Sequence, residues 1–145
     1  MGVYIDTGLF VAVVFEDDEH YKRAGELIVE LSRGNYGRPL FTSDAVFIET
    51  VGFIHKKIAG SDKDLRALSR VQQIHKLIEE RHLEMLYLEE KLFKEALDLY
   101  SQRQGKLEFV DSANVVLMRS RGIRKIASFD GNYDAFAREG IERIH

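Results

Sequence analysis

The stretch Val3-Tyr4-Ile5-Asp6-Thr7-Gly8-Leu9-Phe10-Val11-Ala12-Val13-Val14-Phe15 decides how the chain is read. Its first three residues are a short β-rich run that stops at an aspartate. From Leu9 to Phe15 the residues are all apolar, the longest such run in the sequence. That run falls far short of the ~20 residues a membrane-spanning helix needs, so it reads as a buried helix. A strand that ends in a carboxylate and turns into a helix is the start of an α/β unit.

Working outward, Tyr21, Ala24, Leu27, Ile28 and Leu31 recur at intervals of three and four, which predicts a second helix. The turn-forming stretch Arg33 to Pro39 ends it, and a short strand follows over Leu40 to Thr42. Ser43 or Asp44 caps a third helix from Ala45 to about Ala59, stopped by Gly60. A fourth helix carries Leu65, Leu68, Val71, Ile74 and Ile78 on its inner side. Residues His82 to Leu88 alternate in polarity as a strand does, and Leu92, Phe93, Ala96, Leu99 and Tyr100 mark a fifth helix. A sixth helix over Phe109 to Arg121, a strand over Arg124 to Ser128, a short helix over Tyr133 to Arg138 and a closing strand over Ile141 to Ile144 complete the chain.

Strands separated by single helices or helix pairs imply right-handed parallel crossovers. The expected fold class is α/β, a three-layer α/β/α sandwich around a four- to five-stranded parallel sheet. With 145 residues, 45% of them hydrophobic, there is material for one core, so residues 1–145 are expected to form one domain. Twenty-one Lys and Arg against 24 Asp and Glu give a net charge of −3, which excludes a strongly basic nucleic-acid coat but not a local basic strip. The lack of cysteine excludes disulfides, zinc-thiolate sites and thiol nucleophiles. The opening MGVYID has no basic leader region, and a soluble, cytoplasmic protein is expected.

Four carboxylates stand out by context. Asp6 and Asp130 follow strands, where parallel sheets bind ligands. Asp111 opens the sixth helix, and Glu49 sits in the third among Phe47, Ile48, Val51 and Phe53. Singly, Asp6, Asp111 and Asp130 each suit a helix N-cap. Glu49 caps nothing, and is unremarkable if its helix face is exposed. Jointly, carboxylates gathered at one strand-end cleft repel one another, and a hard divalent cation, Mg²⁺ or Mn²⁺, relieves the repulsion. No pair of histidines has the spacing of a zinc site. Neither Gly-rich phosphate-loop pattern occurs, and Asp6-Thr7-Gly8 lacks the second aspartate of an aspartyl-phosphate phosphatase.

In order along the chain, YIDTGLFVAVV with Asp6 and Thr7, TSDAVFIETVGF with Glu49, LEFVDSANVVLMRSRG with Asp111, and IASFDGNYDAF with Ser128, Asp130 and Tyr133 resemble the PIN-domain nucleases, and in size and layout the VapC-type toxins among them. Two departures are visible. Ser128 stands where the family has Thr, and Asn132 where it often has an acidic residue. The resemblance implies a Mg²⁺- or Mn²⁺-dependent ribonuclease that leaves a 5′-phosphate and a 3′-hydroxyl. Asp6, Glu49, Asp111 and Asp130 would hold metal and water, with Thr7, Ser128 and Asn132 supporting them. It also implies an RNA substrate and an antitoxin partner.

A homodimer is expected because the fourth helix carries more apolar surface than a lone peripheral helix should expose. Arg119, Arg121, Arg124 and Lys125 form a basic cluster that could meet RNA phosphates, as could His55, Lys56 and Lys57. Both clusters also suit helix ends that complement the macrodipole. Asn114, one turn after Asp111, reads as a plain helix-surface residue, with a position facing the cleft as the alternative. The alternative from another class is a catalytically silent module of the same fold that binds RNA or a partner protein.

Overall fold

In a computed structural model, which describes residues 2–145, the chain folds as a parallel five-stranded sheet flanked by helices. The elements run β1 (Val3–Ile5), α1 (Thr7–Val14), α2 (Tyr21–Ser32), β2 (Leu40–Ser43), α3 (Asp44–Lys57), α4 (Lys63–Glu80), β3 (Glu84–Leu86), α5 (Glu90–Gln102), α6 (Phe109–Ser120) and β4 (Lys125–Ala127). A 3₁₀ segment, Gly131–Glu139, and β5 (Glu142–Ile144) follow. The expected α/β class holds, and the strand count settles at the upper value.

The sheet order is β3-β2-β1-β4-β5. β1 lies at its centre, and Val3, Tyr4 and Ile5 are buried on both faces. Covered faces favour an unbroken apolar run over alternation. The outer strands β3 and β5 lose burial toward their amino ends, as edges do. Tyr4 is in register with Phe41 of β2 on one side and Ile126 of β4 on the other. From β1 the chain runs outward to β2 and β3, then crosses back to β4 and β5. The direction of winding therefore switches at β1 and β4, and the crevice beyond their carboxyl ends is where such sheets bind ligands.

Local signals set most boundaries. Ser43, not Asp44, caps α3: its hydroxyl accepts from Val46 N at 3.1 Å. The expected short helix after Asp130 is 3₁₀ in type and ends at Gly140, whose φ of 87° suits a residue without Cβ. α6 is buried along its length from Asp111 to Met118, because it packs against both α5 and α3.

Two expectations about α4 need correction. Ile74 and Ile78 are buried in the chain's own core, and Val71 packs against that core, so they offer nothing to a partner. Only Leu65 and Leu68 of the five remain exposed. The larger exposed apolar set lies on α3 and α5, where Ile48, Phe93, Leu97 and Tyr100 reach solvent. No helix among the described residues is long and apolar enough to cross a membrane.

Candidate active site

Asp6 is the first residue after the central strand, and its backbone N–H donates to Ala127 O at 3.1 Å. That bond ties the carboxyl end of β1 to that of β4. Although Asp6 occupies the N-cap position of α1, its side chain caps nothing. Oδ2 accepts from the Ser128 hydroxyl at 2.6 Å, and Oδ1 accepts from Asn114 Nδ2 at 3.1 Å. The cap reading therefore fails for Asp6.

Asp111 lies inside α6, where Glu108 holds the N-cap position, so it is not the cap either. Its Oδ1 accepts from the Tyr133 hydroxyl at 2.9 Å, while its Oδ2 is buried with no hydrogen-bond partner. A buried carboxylate oxygen without a donor is costly, and such sites commonly hold an ion or water. Asp130 does act as a cap: its Oδ1 accepts from Asn132 N at 2.9 Å. It also lines the cleft.

These residues share one open cleft of about 270 Å³, lined by Asp6, Thr7, Glu49, Glu108, Asp111 and Asp130 among others. The structure thus brings together all four carboxylates singled out in the sequence. Thr7 lies beside Glu49, its hydroxyl buried without a hydrogen bond of ordinary length. Ser128 ties the site together by donating to Asp6 and accepting from Asp130 N at 3.0 Å. Asn132 is exposed and faces Asp130, to which its side-chain amide also donates at 3.4 Å.

Electrostatically the cleft is strained. Burial pushes the Asp6 carboxyl up to about 6, with Glu49 and Asp130 adding to the rise and the Ser128 hydroxyl opposing it. Burial, with Asp6 next, pushes Asp111 up to about 7 against the Tyr133 hydrogen bond. Glu49 is raised by burial first and by Asp111, Glu108 and Asp130 after it. Oxygen-only donors, mutual repulsion and the unpartnered Asp111 Oδ2 suit a hard divalent cation. Among the described residues no three acidic or histidine side chains are placed close enough to grip an ion as they stand. The fit therefore rests on donor chemistry rather than on a closed coordination shell.

Of the two positions the sequence leaves open for Asn114, the structure rejects the helix surface and puts the residue beneath the cleft, bonded to Asp6. Asn114 is fully buried. It donates to Asp6 and, at 2.8 Å, to the Tyr133 oxygen, and it accepts from the Tyr4 hydroxyl at 2.7 Å. Since Asn114 Oδ1 can only accept, Tyr4 donates there and Ser43 supplies the proton in the 2.6 Å Ser43–Tyr4 contact. One network thus runs from the α3 cap through Tyr4 and Asn114 to Asp6, and through Tyr133 to Asp111. Glu108, Asp18 and His20 also line the cleft and were not singled out in the sequence. His20 stacks on Phe129 at 4.2 Å between ring centroids.

The structure does not bring the basic cluster to this cleft. Lys125 begins β4 and Arg124 precedes it, at the amino end of the strand whose carboxyl end leads to Asp130. Arg119 and Arg121 end and follow α6, whose start carries Asp111. Arg119 pairs with Glu139, Arg121 lies 3.5 Å from Glu84, and Lys125 Nζ donates to Tyr36 O at 3.0 Å.

A PIN domain family profile matches residues 3–139. Among solved structures, Mycobacterium tuberculosis VapC20, a sarcin–ricin-loop-cleaving toxin, is 20% identical, with 99% of this chain and 98% of that one matched at a TM-score of 0.72. FitAB bound to an IR36 DNA fragment is 14% identical, with 98% of this chain and 93% of that one matched at a TM-score of 0.66. At these identities the likeness is one of fold. No curated protein sequence matches the chain.

Proposed function

The chain belongs to the PIN domain family, and from that premise we propose that it is a divalent-metal-dependent endoribonuclease, hydrolysing a phosphodiester to leave a 5′-phosphate and a 3′-hydroxyl. The observation that carries this reading is the buried, unpartnered Asp111 Oδ2 in a cleft shared with Asp6, Glu49 and Asp130. When bound there, Mg²⁺ or Mn²⁺ would polarise the phosphate and supply a water nucleophile at neutral pH. The chain's own residues hold and aim the carboxylates. Ser128 and Asn114 fix both oxygens of Asp6, Tyr133 fixes one oxygen of Asp111, and Asn132 steadies Asp130. Such supporting bonds orient ligands and tune their basicity. Thr7 lies beside Glu49 with its hydroxyl unpartnered, and would support that carboxylate by donating to it.

The wider reading is that residues 1–145 act as one domain, the cytoplasmic toxin of a toxin–antitoxin pair, working as a homodimer and silenced by an antitoxin protein. The fold of a sarcin–ricin-loop-cleaving toxin supports it. The exposed Ile48, Phe93, Leu97 and Tyr100 on α3 and α5 support the dimer.

The test is cleavage of single-stranded RNA by wild type and by Asp6→Asn, with Mg²⁺, Mn²⁺ or EDTA. Cleavage is expected with either ion, none in EDTA, and a loss of two orders of magnitude or more in Asp6→Asn with the fold intact. Cleavage undiminished by EDTA contradicts the metal reading. RNA binding without cleavage under every condition favours the silent module.

A further inference from the structure

A second cavity, of about 440 Å³, opens where α1, α3 and α4 meet, lined by Phe15, Lys57, Ile58, Arg66, Ser69 and Arg70. Three cations and no carboxylate line it, in a chain whose net charge is −3. Arg66, Ser69 and Arg70 stand at i, i+3 and i+4 on α4, so they present one face. Lys57 ends α3 opposite them. Phe15, which follows α1, contributes its ring: Lys57 Nζ lies 4.8 Å from the ring centroid and the Arg70 guanidinium 5.7 Å.

The two arginines are held differently. Arg66 is braced by Asp62 at 3.4 Å and donates to Ala59 O at 2.9 Å. Arg70 is half-buried and pairs with no carboxylate among the described residues. A half-buried guanidinium has surrendered part of its hydration, and an anion restores what it lost. The pocket also adjoins the acidic cleft. Lys57 Nζ lies 3.8 Å from the exposed Asp17 Oδ1 and 3.9 Å from Asp18 Oδ2, and Asp18 lines the cleft. The Asp18–Lys57 contact is thus the wall between a cavity of carboxylates and a cavity of cations.

We infer that this basic pocket takes a backbone phosphodiester of the single-stranded RNA whose scissile bond lies in the acidic cleft. The inference rests on the nuclease reading for its substrate class and names where that substrate is held. A strand whose reacting phosphate sits among the carboxylates needs its cationic anchor elsewhere, because the cleft itself repels phosphate until an ion is bound. Lys57, Arg66 and Arg70, with the Ser69 hydroxyl, supply that anchor, and contacts of this kind set position rather than sequence.

The experiment is binding of a short labelled single-stranded RNA to the full chain, read by anisotropy across a salt series in Ca²⁺, which relieves the repulsion of the cleft, with the RNA recovered intact as the control for cleavage. Arg70→Glu should weaken binding about tenfold, and Arg70→Ala should flatten the log K against log salt slope by about 0.7, one phosphate contact on a single strand. Ser69→Glu, at an exposed position, places an anion in the pocket without touching the Arg70–Phe15 packing and should weaken binding likewise. Lys76→Glu makes the same charge change as Arg70→Glu on the same helix, at a side chain 71% exposed and paired with Glu80, and should bind as wild type does. Wild type that fails to bind, or Arg70→Glu and Ser69→Glu that bind within twofold of wild type with unchanged slopes, overturns the inference and leaves the pocket to another ligand, such as an acidic segment of a partner protein. Binding that depends on Arg70 in a protein that never cleaves RNA upholds the pocket while the nuclease reading fails.

Discussion

Asn114 shows what a single residue does here. Among the described residues it is the one group that bonds to Tyr4, Asp6 and Tyr133 together, and it is fully buried. Asn114→Leu keeps the volume and removes every bond. Buried polar groups left without a partner cost about 1–3 kcal/mol each, so the variant should lose at least ~2 kcal/mol by chemical denaturation. The cost should persist in EDTA, because it comes from the network and not from an ion. A variant as stable as wild type contradicts the network. Only the spacing of one turn from Asp111, which allowed Asn114 to face the cleft, was legible in the sequence; its partners were not. Asn114 lies 110 residues from Tyr4 and 108 from Asp6, and a polar residue in a helix reads as surface unless its distant partners are known. The carboxylates were legible because each sits beside a local landmark: Asp6 and Asp130 after strands, Asp111 at a helix start, and Glu49 mid-helix among apolar neighbours.

At the scale of elements, strand and helix order followed from apolar periodicity, and boundaries shifted by a residue or two where caps decided them. Direction was harder to see. The twelve residues of α6 span about 18 Å, so a helix that begins at the cleft with Asp111 must carry Arg119 away from it. Sequence proximity of basic residues to an acidic motif says nothing until that direction is fixed. The same holds for α4, where Ile74 and Ile78 face inward and only Leu65 and Leu68 remain outside. The apolar face left over belongs to α3 and α5, where Phe93 and Tyr100 pack on Phe109 at 5.6 and 6.0 Å and Ile48 is 72% exposed. If this face joins two copies, Ile48→Glu should turn a dimer into a monomer by light scattering at tens of micromolar, concentrations ample for a standard-sized interface. Wild type that is already monomeric there removes the dimer. An Ile48→Glu variant that stays dimeric moves it to another face.

For the whole molecule, the acidic cleft is stability given up in the metal-free state. Asp6 and Asp111 titrate at about 6 and about 7 when folded, against an ordinary aspartate value of 3.8. The folded state therefore binds more protons than the unfolded one between these limits, and stability falls as pH rises. In EDTA the protein should be more stable near pH 4 than near pH 7 as far as these two groups decide it, the loss falling between pH 4 and 7. A divalent ion competes with those protons, so its stabilising effect should grow over the same range. Thermal unfolding at pH 7 of wild type and Asp111→Asn, each in EDTA and in Mn²⁺, separates an ion site from a set of unmetallated carboxylates. A shared ion site predicts that wild type gains ~2.7 kcal/mol with Mn²⁺ at a hundredfold excess over its dissociation constant. It predicts that Asp111→Asn loses most of that gain, and that Asp111→Asn in EDTA is at least as stable as wild type, because one repelling charge is gone. Equal Mn²⁺ shifts in the two proteins would mean that Asp111 holds no ion, and would contradict the account.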